Sequence, residues 1–319
     1  MSGVRPSTKA VVVAVASRSA EKAQRFAAEY KIPRALANYE ALLADDGIDA
    51  IYIPVPNSLH AEWTLRAIDA GKHVLCEKPL AASADVRAMF HAARRRGVHL
   101  VEAYPYLAQP QTLKLRELLR ERAIGEIKLI HAAFGFTVGD LSRIRLDPTL
   151  GGGALLDAGC YPVSLIRMIA GERPLRVHAV ARWGDTNVER TLVATLEFKS
   201  GLLAQISCSF ETSMFRRALI SGDAGILETG FFNNTARERP PTLQIKRGAG
   251  WSSLSETLTL PEANGFLAET DAFADLVAGH AAAWPGPHET ESLDIALTLE
   301  AIAQSARTGA PVTIGAPPP

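Results

Sequence analysis

Two hydrophobic periodicities divide the chain. Over the first hundred residues, short continuous apolar runs alternate with segments whose apolar residues recur every three to four positions. Residues 10–16 (AVVVAVA) form a β-branched run with no polar alternation, the pattern of a parallel strand covered on both faces. Ser19 reads as a helix N-cap, with Glu21 and Lys22 in the first turn and Ala23, Phe26, Ala27 and Tyr30 at helical spacing up to Pro33. The pattern then predicts a short helix over 39–43, a buried strand over 50–55 and a helix over 59–70 ending at Gly71. A strand over 73–76, a helix over 84–96 ending at Gly97 and a strand over 99–101 follow. Strands separated by helices of this size imply crossovers, a parallel sheet and a doubly wound (Rossmann-like) α/β fold.

After Gln111 the period changes. A helix over 112–121, a strand over 127–136 and a polar loop over 137–150 lead to Gly151, Gly152 and Gly153, which open a helix running to about residue 169. Strand-like segments at 176–181, 191–198, 202–210, 218–221 and 225–229 are joined by short turns, which demand antiparallel pairing. Helices over 268–283 and 291–306 precede a Pro-rich tail over 317–319. The reading is two domains, 1–105 and 106–319, the second α+β on a mostly antiparallel open sheet. Alternating apolar residues such as Leu192, Ala194, Leu196, Leu203 and Ile206 suggest a sheet face that, if no helix covers it, joins subunits into a homodimer or homotetramer.

Composition narrows the function. The 34 Lys+Arg balance the 34 Asp+Glu, which argues against an electrostatic grip on nucleic acid or an acidic membrane surface. Cys76, Cys160 and Cys208 are too scattered for a disulfide framework or a zinc site, and no metal is expected; His131, His178 and His280 read as surface or packing residues. No unbroken apolar run approaches the roughly 20 residues of a membrane span. Arg5 and Lys9 before residues 10–16 imitate a short secretory signal, but the helical pattern directly behind favours a strand. A cytoplasmic protein acting on a small molecule is expected.

In a doubly wound sheet, ligands settle at the carboxyl ends of the strands. The first strand leaves through Ser17 and Arg18, a hydroxyl and a guanidinium that suit a 2′-phosphate better than the ribose hydroxyls of NAD. Pro56, Asn57 and His60 follow the next strand; taken alone, Asn57 is as readily a helix cap. Glu77, Lys78 and Pro79 end the strand after that. Spacing alone makes Lys78 a turn residue, while a lysine beside a cationic nicotinamide would have its pKa moved toward neutrality. Beyond the glycine run, Asp157 and Tyr161 lie four apart on one helical face. A phenol can serve as a proton donor where a nearby cation lowers its pKa from about 10, and Lys78 is the candidate cation if the domains face each other across a cleft.

The stretches Val15-Ala16-Ser17-Arg18, Pro56-Asn57-Ser58-Leu59-His60, Gly71-Lys72-His73-Val74-Leu75-Cys76-Glu77-Lys78-Pro79 and Gly152-Gly153-Ala154-Leu155-Leu156-Asp157-Ala158-Gly159-Cys160-Tyr161 occur in that order. Together they resemble the Gfo/Idh/MocA oxidoreductases, in the branch whose second motif ends in Tyr, over nearly the whole chain. The resemblance implies hydride transfer between NADP (rather than NAD) and a carbonyl or alcohol carbon of a sugar, polyol or cyclic diol. It implies Lys78 near the nicotinamide, Tyr161 as acid/base and Asp157 orienting substrate hydroxyls or the phenol. It also places Asn57, His60, Glu77, Pro79 and Glu102 along the cofactor and Tyr104 and Tyr106 toward the substrate, with Pro105-Tyr106 departing from the family pattern.

A larger departure is the glycine-rich turn G-x-G-x-x-G, which residues 1–9 (MSGVRPSTK) do not contain. Three readings are open: a start codon further upstream, a strand over 10–16 that occupies the central position of the sheet, or a non-catalytic relative that has lost cofactor binding.

Overall fold

The computed structural model describes residues 4–139, 143–235, 240–248, 250, 254–280 and 284–315. The expected tail over 317–319, residues 281–283, residues 1–3 of the N-terminal segment and part of the loop over 137–150 lie outside the described residues, and the helix expected over 268–283 ends at Val277.

The first lobe runs β1 (Ala14–Ala16), α1 (Ala20–Tyr30), β2 (Arg34–Leu36), α2 (Tyr39–Leu43), β3 (Ala50–Ile53), α3 (His60–Asp69), β4 (His73–Glu77), α4 (Ser83–Arg96) and β5 (Leu100–Ala103). Ser19 caps α1 as its position suggests, its hydroxyl accepting from the Lys22 amide. All the pairings are parallel, but they form two ladders, β1 with β2 and β3-β4-β5. No pairing joins β1 to β3 among the described residues. The strand expected over 10–16 is therefore corrected. Only Ala14–Ala16 is strand, each of its residues is partly exposed, and Val11 is 80% exposed. A strand with one neighbour leaves half its backbone outside the ladder, which favours a short element. The reading that this strand takes the central position is not what the fold shows. β2, which the sequence pattern does not predict, is its only partner among the described residues.

On one face of β3-β4-β5, Ile51, Ile53, Val74 and Cys76 pack with Val86 and Met89 of α4. The opposite face carries Leu75, Val101 and Ala103. It is covered by Ala272, Phe273 and Leu276 of α7 (Gly265–Val277) and by Trp284. Ala296 of α8 (Glu289–Thr308) joins the first core, and Glu300 accepts from the amide and hydroxyl of Ser83 at the start of α4. The C-terminal helices thus cross the boundary drawn at residue 105.

The second lobe contains α5 (Pro110–Arg120), β6 (Ile127–Thr137), α6 (Cys160–Ala170), β7 (Pro174–Trp183), β8 (Glu189–Phe198), β9 (Leu203–Ser209), β10 (Glu211–Gly222), β11 (Gly225–Thr229), β12 (Thr242–Arg247), β13 (Ser255–Thr259) and β14 (Val312–Thr313). The strands make one nine-stranded sheet, ordered β13-β12-β11-β10-β6-β9-β8-β7-β14, antiparallel except for β6 with β9. Leu192, Ala194, Leu196 and Ile206 are each 1% exposed and belong to one core with Ile166 of α6 and Leu299 of α8. They face the helix layer, so the expectation that they form a free face is corrected; of the five residues singled out, only Leu203 lies outside. The open face is mixed, with Val193, His131, Gln205, Arg217 and Leu219 around a broad concavity of about 690 Å³. The segment from Pro148 to Ala170 is apolar enough to span a membrane by length and composition, yet 72% of its most apolar window is buried in this core.

Candidate active site

The ends of β3, β4 and β5 meet the start of α6. Lys78 leaves β4, and its ammonium donates to the Asp157 carbonyl at 2.8 Å and to Asp157 Oδ1 at 3.1 Å. The same nitrogen stands 4.9 Å from the centre of the Tyr161 ring. Two buried side chains pin the strand exits. His60 is 0% exposed and sets its ring nitrogens 2.9 Å from the carbonyls of Pro79 and Val55. Glu102, 1% exposed, accepts from the Leu80 amide at 3.0 Å. Glu77 accepts from the Tyr52 hydroxyl. Asn57 reaches across the lobes to donate to the Gly151 carbonyl at 2.9 Å instead of capping α3.

Asp157 lies in a widened π turn, Leu155–Gly159, that runs into α6. Pro162 supplies no N–H to the carbonyls one turn back, and the Asp157 carbonyl takes the Lys78 ammonium instead. Asp157 Oδ2 accepts from Arg145 Nε at 2.6 Å, so one carboxylate holds two cations. Glu189 accepts from the Leu155 amide at 2.9 Å and anchors the turn from the sheet side. The glycine run proves to be a packing device. A Cβ on Gly152 would sit 2.6 Å from the Arg145 carbonyl, and one on Gly153 would meet the Glu189 carboxylate. These glycines let the chain approach itself closely.

Tyr161 is 6% exposed and packs edge-on against Tyr104 and Phe134. Its hydroxyl accepts from Asn233 Nδ2 at 3.0 Å, and the Arg216 guanidinium lies 4.0 Å from the ring centre. Burial raises the phenol above its ordinary pKa, against the pull of Lys78 and Arg216. The expected net lowering by Lys78 is thus corrected: desolvation wins. Lys78 is corrected in the other direction. Burial opposes its charge, but the acidic groups of Cys160, Tyr161, Asp157 and Glu77 outweigh that and hold the ammonium above the usual lysine range. Asp157 is held below the carboxylate range, because Lys78 and Arg145 overcome its burial. Burial pushes Glu102 up to about 7, and it pulls His60 down despite the two carbonyls.

Lys78, Asp157 and Tyr161 are therefore together. Ser17 and Arg18 stand at the end of β1, where Ser17 Oγ accepts from the Ser19 amide and Arg18 is exposed. Pro56 precedes the turn at Asn57. His60 and Glu102, expected along the cofactor, are spent on the chain's own backbone. Tyr104 and Tyr106, expected toward the substrate, are 1% and 0% exposed; the Tyr106 hydroxyl is paired with Ser164. Both rings form a wall behind Tyr161. Sequence reasoning missed Arg145, Glu189, Arg216 and Asn233. For Arg216 a signal existed: period two along β10 puts it on the side of Ala218 and Ile220, facing the core.

The arrangement offers a buried phenol for proton transfer, a fixed ammonium against its ring and a carboxylate that locks the ammonium in place. Residues 2–104 match a family model described as "Oxidoreductase family, NAD-binding Rossmann fold", and residues 112–228 match "GFO/IDH/MocA C-terminal domain". The chain is 38% identical over 304 residues to D-xylose 1-dehydrogenase (NADP(+)) 2 of Haloferax volcanii, covering 94% of this chain and 91% of that one. It is 39% identical to trans-1,2-dihydrobenzene-1,2-diol dehydrogenase of Xenopus laevis, over 71% of this chain and 69% of the relative. Among solved structures, a 3-ketoreductase from Actinomadura kijaniata in complex with NADP and TDP-benzene superposes with a TM-score of 0.86 at 32% identity, covering 95% of this chain and 92% of that one.

Proposed function

The chain belongs to the Gfo/Idh/MocA family of oxidoreductases, and from that premise we propose that it moves a hydride between NADP(H) and the carbonyl or alcohol carbon of a sugar, polyol or cyclic diol. The relatives described above act on a sugar and on a cyclic diol, which supports that substrate class. The juxtaposition of Lys78, Asp157 and Tyr161 carries the reading.

The donor set suits the two ends of a nicotinamide dinucleotide. Ser17 and the exposed Arg18 would hold the 2′-phosphate, while Asn57, Glu77 and Lys78 would flank the nicotinamide end. Among the described residues no glycine-rich turn follows a strand of the first lobe, so the ends rather than the phosphate bridge carry the fit. When bound, the nicotinamide supplies or accepts the hydride. Tyr161 Oη gives the proton to the carbonyl oxygen in reduction and takes it back in oxidation. Asn233 Nδ2 already donates to Oη, which leaves the phenol's own hydrogen to point elsewhere. The Lys78 ammonium, locked by Asp157, stabilises negative charge developing on the phenol and on the substrate oxygen. The aromatic wall behind Tyr161 keeps water from that side of the site.

Fluorescence titration with NADPH tests the premise: binding is expected, and none at about millimolar cofactor would leave the non-catalytic reading instead. With binding in hand, Tyr161→Phe should lower kcat for sugar or diol substrates on the order of a hundredfold or more. Unchanged turnover would remove Tyr161 from its role.

The open face of the nine-stranded sheet, with Val180, Val193 and Leu203 exposed, supports association of two or four copies through it. Light-scattering mass should give a dimer or tetramer that Val193→Asp shifts toward monomer; a wild-type monomer would refute this.

A further inference from the structure

Residue 216 is an inward position of β10. Its pairing partner is Phe134 on β6, and Ala218 and Ile220 on the same side are buried. Arginine there puts a guanidinium under the helix layer, 8% exposed. It meets four aromatic rings, Tyr161 at 4.0 Å, Phe134 at 4.7 Å, Phe231 at 4.9 Å and Tyr106 at 5.6 Å. Among the described residues no carboxylate pairs with it. Aromatic faces offset part of the desolvation, but a hydrophobic side chain would fill this position without that penalty. The guanidinium donates from Nη2 to Asn233 Oδ1 at 3.2 Å, and Asn233 Nδ2 donates in turn to Tyr161 Oη at 3.0 Å.

We propose that Arg216 and Asn233 are positioning residues that act as one relay on Tyr161, fixing the direction of its hydroxyl and favouring its phenolate. The proposal rests on Tyr161 as the acid/base of the reading above and adds the groups that make it one. The relay acts at both ends of the phenol. Arg216 lies over the ring face and places positive charge against it. Its donation to Asn233 Oδ1 polarises the amide, so Nδ2 donates more strongly to Oη. With that lone pair engaged, the Tyr161 hydrogen turns away from Asn233 and is free for a substrate oxygen. The other ionisable groups facing Tyr161 are Lys78 and Glu77 from the β4 exit, Asp157 and Cys160 from the turn and α6, and the phenols of Tyr52, Tyr104 and Tyr106. Lys78 is already committed to two oxygens of Asp157, which leaves Arg216 as the cation not neutralised by a described carboxylate.

The test reads the phenol itself. Ultraviolet difference titration of the wild type against Tyr161→Phe isolates the Tyr161 phenolate. The same subtraction in an Arg216→Gln background should place its midpoint about one pH unit higher, while Arg216→Lys keeps it near the wild type. Should Arg216→Gln lose its near-ultraviolet circular dichroism, Asn233→Ala decides; its midpoint should also rise, by less. In turnover, the alkaline limb of kcat for carbonyl reduction should move up with the phenolate midpoint, with KM nearly constant. A midpoint unmoved in the folded variants overturns the relay, even in an active enzyme. A midpoint that moves in a protein with no sugar or diol turnover keeps the relay and sinks the functional reading.

Discussion

In the second lobe, strands reach twelve residues, as in β10, and one apolar cluster runs from Tyr104 to Ile314 beneath a continuous sheet. In the first lobe, strands are three to five residues long and the parallel ladder is broken between β1 and β3. There the strand exits are held by buried polar groups, His60 between two carbonyls and Glu102 on the Leu80 amide. The groups proposed to handle the proton, Tyr161, Asp157, Asn233 and Arg216, all stand on the lobe that apolar packing makes rigid. The lobe that supplies Lys78 and Asn57 depends on a few titratable contacts.

The contrast can be broken from the rigid side first. Asp294 of α8 accepts from Arg167 of α6 at 2.7 Å with both side chains only 10% exposed, and Arg173 stands on its other oxygen. Asp294→Ala leaves the buried Arg167 and the half-buried Arg173 without this carboxylate and should destabilise the protein by about 3–5 kcal/mol. Urea unfolding should show a lower midpoint with an unchanged slope; a midpoint within error of the wild type would mean that the helix layer does not depend on this triad.

The first lobe is probed through Glu102. Its folded pKa, raised to about 7, lies above the unfolded carboxylate value, so between those limits the native state binds the extra proton. The contribution of Glu102 to stability then falls as pH rises from about 4.5 to about 7 and is level above. The span amounts to on the order of 3 kcal/mol. Glu102→Gln should flatten that slope in thermal melts, and a slope that survives the substitution would place the pH sensitivity elsewhere.

Much of this architecture was legible in the sequence, because its signals are local. Ser19 caps α1, Gly97 ends α4 in a left-handed turn, and Gly225–Thr229 is a strand with the limits its pattern indicates. Arg34–Leu36, Thr242–Arg247 and Ser255–Thr259 were missed, since short strands with charged or polar neighbours carry little periodic signal. Lys78 and Asp157 are 79 residues apart, and nothing in spacing joins them; the family resemblance did that. The family resemblance points His60, Tyr104 and Tyr106 toward ligands because motifs report position along the chain. Which way a side chain turns is settled by packing, and these three turn inward.

The helices that close the second lobe do not end their work there. With α7 laid over Leu75 and Val101 and α8 inserted beside α4, the chain returns to its beginning before it stops. Cutting the polypeptide at the junction near residue 105 would strip the nucleotide-side sheet of its lid and leave the other fragment with bare oily helices. The two halves are joined by shared helices, so their separateness is a matter of sequence order more than of packing.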